Sequence, residues 1–285
     1  MIINWYPGHM KKTEALLKEQ LKLIDIVLEL LDARIPRSSS NPKLLDIFKD
    51  KKRIIVLNKA DLADEKVTLE WKRYFESLGM QVIITNGITG GIARHVHEAV
   101  TQAYSEKSQQ LIKRGRKPRP ARVMVVGIPN VGKSTIINQL AGKGSAKTGD
   151  KPGVTRGKQW IRVHSQIELL DTPGILWPKF EDEVTGLHLA QTGAIRDEII
   201  DQEELAFELV KELLHLYPEQ LNNRYGGDVN LDPLSYMNWI AKSRGCILKG
   251  GESDLLRVST ILLDEFRGGK IGRISLESPV SEGVK

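Results

Sequence analysis

The sequence predicts an α/β fold, a doubly wound and mostly parallel sheet followed by a smaller all-helical unit. Three observations predict it. Apolar runs of strand length alternate with amphipathic segments as far as Leu170, the pattern of a sheet with crossover helices. A glycine-rich loop, Gly127-Ile-Pro-Asn-Val-Gly-Lys-Ser134, sits between an apolar run and a helix start. After Trp177-Pro178 the alternation stops and helical periodicity takes over. The expected units are residues 1–178 and 179–285.

In chain order, Leu16, Leu17 and Leu21 recur at helical spacing, which predicts an amphipathic helix over 10–22. Residues 23–31 form an apolar strand that runs into Asp32-Ala-Arg34 and then a polar loop, Arg37-Ser-Ser-Ser40. A short helix is expected over 42–48. A second buried strand, 53–57, leads into Asn58-Lys-Ala-Asp61. A helix over 66–78 stops at Gly79, and a third strand, 81–85, runs into Asn86-Gly87. A long helix over 91–110 precedes a basic, proline-punctuated connector, 113–122, which is either a solvated linker or a phosphate-contacting segment. The strand 122–126, the glycine-rich loop and a helix over 135–140 follow. A Gly/Lys-rich loop, 143–158, leads to a hairpin over 159–164 and 166–170 that ends in Asp171-Thr-Pro-Gly174.

In the second unit helices are expected over 185–191, 202–216, 234–243 and 253–266. Asp201 with Glu204 reads as a capping box. Asp232-Pro233 pairs a cap residue with proline at the first helical position. Gly268-Gly269 ends the last helix, and a tail over 271–276 is expected to add a strand.

Composition narrows the class. The chain has 285 residues, 40% of them hydrophobic and 27% charged, with a net charge of +6. That is an ordinary globular balance with room for a sizeable core. The single Cys246 excludes a disulfide framework and a cysteine-rich zinc module, and reads as a buried small hydrophobe. No apolar run reaches transmembrane length, and the start of the chain lacks the pattern of a leader peptide. The expectation is a cytoplasmic protein that does not touch membranes. The positive charge is compatible with a polyanionic partner and does not establish one.

The glycine-rich loop carries the first chemistry. Between strand and helix it has the context of a Walker A loop. Gly132 lets the backbone approach an anion, and the N–H groups at the helix start point at phosphate oxygens. Asn130, Val131, Gly132, Lys133, Ser134 and Thr135 are therefore expected to bind nucleotide. Lys133 bridges β- and γ-phosphates as a catalytic charge, and the Ser134 hydroxyl is a Mg²⁺ ligand. Asp171 is expected to hold Mg²⁺ through water, and Gly174 to reach the γ-phosphate. The Thr155 hydroxyl would complete the Mg²⁺ shell and assist hydrolysis once its loop is ordered.

Asn58, Lys59, Ala60 and Asp61 read guanine. The Asp61 carboxylate can accept from guanine N1–H and N2–H₂, which adenine lacks, and a site built to hydrogen-bond a group rejects analogues without it. Asn58 can donate to the N7 side and the Lys59 stem can cover the base. Asn86 and Gly87 would support the base through main-chain N–H groups. The residue after Gly174 is Ile175, which cannot orient water, so intrinsic hydrolysis should be slow and help must come from elsewhere. Arg34 and Arg156 are candidate fingers without a spacing argument. His95, His97, His164, His188 and His215 show no metal-ligand pattern.

The base-reading segments precede the phosphate loop, the reverse of the usual order. With Pro7-Gly-His-Met10, Asp32-Ala-Arg34 and a helical C-terminal unit, the whole chain resembles the circularly permuted GTPases of ribosome assembly. The resemblance implies a permuted P-loop GTPase domain and a helical domain that reads rRNA. It also implies GTP-dependent docking on a late precursor of the large ribosomal subunit, hydrolysis stimulated by that particle, and action as a monomer. By resemblance, His9 is the catalytic group that orients water; a structural or RNA-contacting role stays open for it. Similar GTPases use an asparagine at the place of Asn130 to ligate K⁺ beside the phosphates; a loop-capping role stays open. The rival reading is a regulatory GTPase switch whose helical domain binds a protein.

Overall fold

A computed structural model describes residues 19–87, 91–117, 119–142, 160–170, 182–195, 197 and 200–279. Its centre is a six-stranded sheet: β1 (Ile26–Asp32), β2 (Lys52–Asn58), β3 (Gln81–Ile84), β4 (Ala121–Gly127), β5 (Trp160–His164) and β6 (Ile167–Leu170). The strand order is β3-β2-β1-β4-β6-β5. All pairings are parallel except the β5–β6 hairpin. The fold class read from the sequence is the one observed.

Strand β1 is buried along its whole length. Its apolar residues Ile26, Leu28 and Leu30 face one core and Val27 and Leu31 face others, as a two-sided parallel strand requires. Chain order runs outward from β1 through β2 to β3, then crosses to β4 on the other flank of β1. The β1–β4 boundary is therefore the topological switch point, and ligands of such sheets bind outside the carboxyl ends of the strands there. The register sets those ends side by side. Asp32 pairs with Asn58, and Leu30 pairs with Gly127.

Around the sheet lie α1 (Pro36–Ser39), α2 (Pro42–Phe48), α3 (Glu65–Ser77), α4 (Ile92–Lys113) and α5 (Lys133–Ala141). The helical unit contains α6 (Glu183–Gln191), α7 (Gln202–Leu216), α8 (Pro218–Tyr225), α9 (Pro233–Arg244) and α10 (Leu255–Arg267). Helix α7 is its axis, presenting Leu205, Leu209 and Leu213 to the core. The caps fall where the sequence places them: Asp201 accepts from the N–H groups of Glu203 and Glu204, and Asp232 from that of Ser235. Cys246 is buried.

Four expectations change. The polar loop Arg37-Ser-Ser-Ser40 is largely the one-turn helix α1, with Ser38 and Ser39 buried. Helix α8 begins where the sequence reads as a break: Pro218 holds its first position, which needs no N–H donor. The basic connector loses Lys113 to α4 and Arg122 to β4. Its Arg119 is pinned by the buried Asp25 carboxylate at 2.7 Å. The tail is not a strand. It leaves α10 and lies back along the first unit, where the Ile274 N–H reaches the Leu62 carbonyl at 2.9 Å and the Leu276 N–H reaches that of Arg34 at 2.9 Å. Among the described residues no helix is long and apolar enough to cross a membrane.

Candidate nucleotide site

The phosphate loop leaves β4 at Gly127, where a Cβ would stand 2.7 Å from the Leu30 carbonyl oxygen. It passes through Asn130 at φ 57 and Gly132 at φ 98, both left-handed. Glycine at 132 is required twice over, because a Cβ there would lie 2.4 Å from Asn58 Nδ2. Helix α5 then begins with no side-chain cap on its first turn. An uncapped, nine-residue helix at the switch point offers its orphan N–H groups to an anion. Lys133 is 8% exposed, and its ammonium donates to the carbonyls of Gly127 at 3.1 Å and Ile128 at 2.7 Å. A buried lysine charge needs such partners. These contacts hold it over its own loop, at the place where phosphate oxygens would lie. The residues present fit a phosphate chain.

Asn58 ends β2 and is 2% exposed. Its Nδ2 donates to the Val131 carbonyl at 2.7 Å, so the base-reading segment is tied to the phosphate loop across 73 residues of sequence. The sequence assigns Asn58 to the base; the structure adds this brace. Gly87 packs on the other side of the same amide, where a Cβ would stand 2.8 Å from Asn58 Oδ1. Asn58 Oδ1 is buried without a partner among the described residues. The Ala60 N–H donates to the Thr85 carbonyl at 3.1 Å, and Gln139 Nε2 on α5 donates to the Gly87 carbonyl at 2.5 Å. Residues 58–61, 85–87 and 130–135 are thus brought together, with Asp61 exposed and Asn86 half-buried at the rim.

Lys59 sits at φ 58, and its ammonium meets the Asp32 carboxylate at 3.0 Å. Asp32 also accepts from Arg34 Nε at 2.9 Å and Nη2 at 2.8 Å. Burial opposes ionisation of Asp32, but the two cations outweigh it and hold the carboxyl well below the usual range. Arg34 is 1% exposed and stacks on the Phe266 ring at 5.4 Å. Bound fork-to-fork and buried, Arg34 is a structural residue of the Asp32–Lys59 cluster, and the finger role considered for it is dropped.

Of the expected Mg²⁺ ligands, Ser134 is described, exposed at the start of α5. Thr155, Asp171 and Gly174 lie outside the described residues, as do His9, Arg156 and Ile175. Among the described residues no group of His, Cys, Asp and Glu could hold a metal ion. Asn130 directs its Nδ2 to the Gly193 carbonyl at 2.8 Å, linking the phosphate loop to the turn after α6. His97 and His164 pack ring to ring, centroids 4.2 Å apart. His188 is buried between carboxylates, with Nδ1 3.0 Å from Glu277 and Nε2 3.5 Å from Glu212. Burial alone would lower its pKa, yet the two carboxylates push it up to about 9.

Sequence reasoning missed the contribution of the tail. Arg273, Ile274 and Ser275 hydrogen-bond the backbone of Ala60 and of Leu62, Ala63 and Asp64 just after Asn58-Lys-Ala-Asp61. Separations above 200 residues leave no local signal, and an arginine after a glycine pair has no distinctive pattern.

A family model described as 50S ribosome-binding GTPase matches residues 122–225. The match begins inside β4, so the base-reading segments lie before it, as a permuted order requires. Ribosome biogenesis GTPase A of Bacillus cereus is 46% identical over 284 residues, covering 99% of this chain and 96% of its own. The protein of that name from Thermotoga maritima is 35% identical, covering 97% and 95%. Two solved structures superpose at 31% sequence identity. A GDP-bound YlqF has a TM-score of 0.68, covering 93% of this chain and 99% of that one. A GNP-bound YlqF from T. maritima has a TM-score of 0.66, covering 94% and 98%.

Proposed function

The chain belongs to the ribosome biogenesis GTPase A family, and from that premise we propose that it binds a late precursor of the large ribosomal subunit and couples GTP hydrolysis to its maturation. The coarse activity, GTP hydrolysis in ribosome assembly, comes with the family. The observation that carries the site assignment is the Asn58–Val131 hydrogen bond at 2.7 Å, which sets a guanine-reading segment and a phosphate loop at one switch point.

The residues divide the work by position. Gly132 keeps the loop open to phosphate, the first-turn N–H groups of α5 receive its oxygens, and Lys133 supplies charge beside the bond that breaks. Asp61, with Asn58, Lys59 and Ala60, selects the base, and Asn86 and Gly87 back it. Ser134 would hold Mg²⁺ with Thr155 and, through water, Asp171. That is an all-oxygen set of the kind a hard cation takes. Mg²⁺ bound there neutralises charge on the β- and γ-phosphates. Asn130, whose nitrogen holds the Gly193 carbonyl, would offer its own side-chain oxygen to K⁺, which would add to the same neutralisation. Gly174 would contact the γ-phosphate, and His9 would orient the attacking water in place of the absent glutamine. The helical unit and the positive charge suit an rRNA partner in the cytoplasm, with the protein acting as a monomer.

The test is GTP turnover in KCl and in NaCl, each with and without purified large ribosomal subunits. Turnover should rise with subunits and rise further in KCl. A protein that binds GTP yet ignores the subunits in both salts would instead be a switch for a protein partner.

A further inference from the structure

The loop that carries Asp61 does little to hold its own shape. From Lys59 to Asp64 its one internal hydrogen bond among the described residues is the turn from the Leu62 N–H to the Lys59 carbonyl at 2.9 Å. Thr85 and Asp32 hold its start and the first turn of α3 holds Asp64; between them the C-terminal tail supplies the contacts. Arg273 Nη2 donates to the Ala60 carbonyl at 3.0 Å, and its Nε to the Ala63 carbonyl at 2.8 Å. These carbonyls flank Asp61 in sequence. The Ile274 N–H donates to the Leu62 carbonyl at 2.9 Å, and Ser275 Oγ accepts from the Asp64 N–H at 3.1 Å. Gly269 lets the chain turn against Leu62, where a Cβ would meet Leu62 Cδ2 at 2.8 Å. Of the five residues after Lys59, all but Asp61 are therefore tied to the tail.

The tail is itself anchored at both ends. Ile271, Ile274 and Leu276 are buried in the main core. The Glu277 carboxylate accepts from the N–H groups of Arg37 at 2.7 Å and Ser38 at 3.1 Å, from the Ser38 hydroxyl, and from His188. Trp71 Nε1 donates to the Glu277 carbonyl at 3.0 Å. A rigid strap thus presents one planar guanidinium to two carbonyls. The third contact of Arg273, to Glu65 at 3.2 Å, is exposed on both sides and contributes little.

We propose that Arg273 is a specificity-positioning residue for the nucleotide base: by fixing the carbonyls of Ala60 and Ala63 it aims the Asp61 carboxylate at the guanine N1–H and N2–H₂ edge. This rests on the reading of Asp61 as the guanine reader. Arg273 does not touch the nucleotide. It acts through the loop, so its loss should relax base preference and not weaken all nucleotides alike. Inosine offers the N1–H and lacks the 2-amino group, so it has less to lose than guanine when Asp61 moves.

The experiment compares GTP, ITP and ATP, with XTP added for Asp61→Asn, in competition with a fluorescent GDP analogue, on the full chain, for wild type, Arg273→Ala, Arg273→Lys and Asp61→Asn. Arg273→Ala should reduce the GTP-over-ITP preference about tenfold, the worth of one charge-assisted hydrogen bond, with ATP affinity unmoved. Arg273→Lys keeps the charge but not the planar fork, so its preference should fall between the two. It also decides the matter if Arg273→Ala does not fold. A wild-type GTP-over-ITP ratio in the folded variants, or an equal loss for all three nucleotides, overturns the proposal. Asp61→Asn separates this from failure of the premise. It should move preference from GTP to XTP, and if it does not, Asp61 is not the reader and the role of Arg273 falls with it.

Discussion

The two halves of the nucleotide site are built in opposite ways. The phosphate half is one contiguous stretch from Gly127 to Thr135, shaped by a strand end, two left-handed residues and a helix start. The base half is assembled from distant pieces. Asn58 braces Val131, Lys59 pairs with Asp32, Ala60 leans on Thr85, and Arg273 holds the carbonyls around Asp61. The contiguous motif takes its shape from its flanking elements and is tied to the rest by the Asn58–Val131 and Asn130–Gly193 hydrogen bonds. The assembled half needs more distant pieces, the tail among them, to have any shape at all. Base recognition is therefore the half that the rest of the molecule can influence most.

The largest expected effect falls on the contiguous half. Lys133→Ala removes the charge at the phosphates, and GTP turnover should drop by at least about 10²-fold, as when one preorganised donor to developing charge is deleted. Because the ammonium donates to the carbonyls of its own loop, Gly127 and Ile128, base preference should survive in whatever binding remains. Turnover by the variant at the wild-type rate would remove Lys133 from the site.

This contrast also explains what was legible in the sequence. Strand β2 running into Asn58-Lys-Ala-Asp61, and β4 running into the phosphate loop, could be read because spacing and composition within ten or so residues set them. The alternation up to Leu170 sufficed for the sheet, and Asp201 and Asp232 marked two helix starts through local capping. What could not be read was tertiary. Ser38 and Ser39 look like a polar loop, yet both are buried: Glu277, 239 residues away, accepts from Ser38, and the Ser39 hydroxyl accepts from the Asp32 N–H and donates to the Ile35 carbonyl. Arg34 looks like a free cation until Asp32 is seen to take both arms of its fork. Ile271, Ile274 and Leu276 carry a strand-like apolar pattern because they are buried in the main core, yet they join no strand of the sheet.

A second prediction sharpens the contrast through pH. His188 helps anchor Glu277, and so the strap, while facing Glu212 on α7; no other charged group is paired with it among the described residues. Its pKa in the folded protein is about 9, above the ordinary 6.5. A raised pKa means that the folded state holds the proton more tightly. The resulting stability is fully present below about pH 6.5, falls between there and about pH 9, and is gone above. At the pKa difference cited it is worth at most about 3 kcal/mol. Thermal melts from pH 6 to 10 should show this decline, and His188→Gln should flatten it. A decline of equal size in the variant would assign the pH dependence to other groups.

The smallest expected effect is the most informative, because it tests whether the two halves are separable at all. Asn58→Ala removes the amide that joins them and leaves the Val131 carbonyl without its donor. The cost should be about 1–3 kcal/mol, the price of an unsatisfied group in a buried setting. If Asn58 served the base alone, the variant would lose guanine affinity while inorganic tripolyphosphate competed for the site as well as before. The 2.7 Å bond to Val131 predicts otherwise. Without it the phosphate loop loses a support outside its own sequence, so tripolyphosphate should weaken along with GTP. Gly132→Ala approaches the same contact from the other side, forcing a Cβ against Asn58 Nδ2, and should weaken the two ligands in the same proportion. Unequal losses would mean that the contiguous half stands by itself, and that Asn58 is a base contact which merely lies nearby.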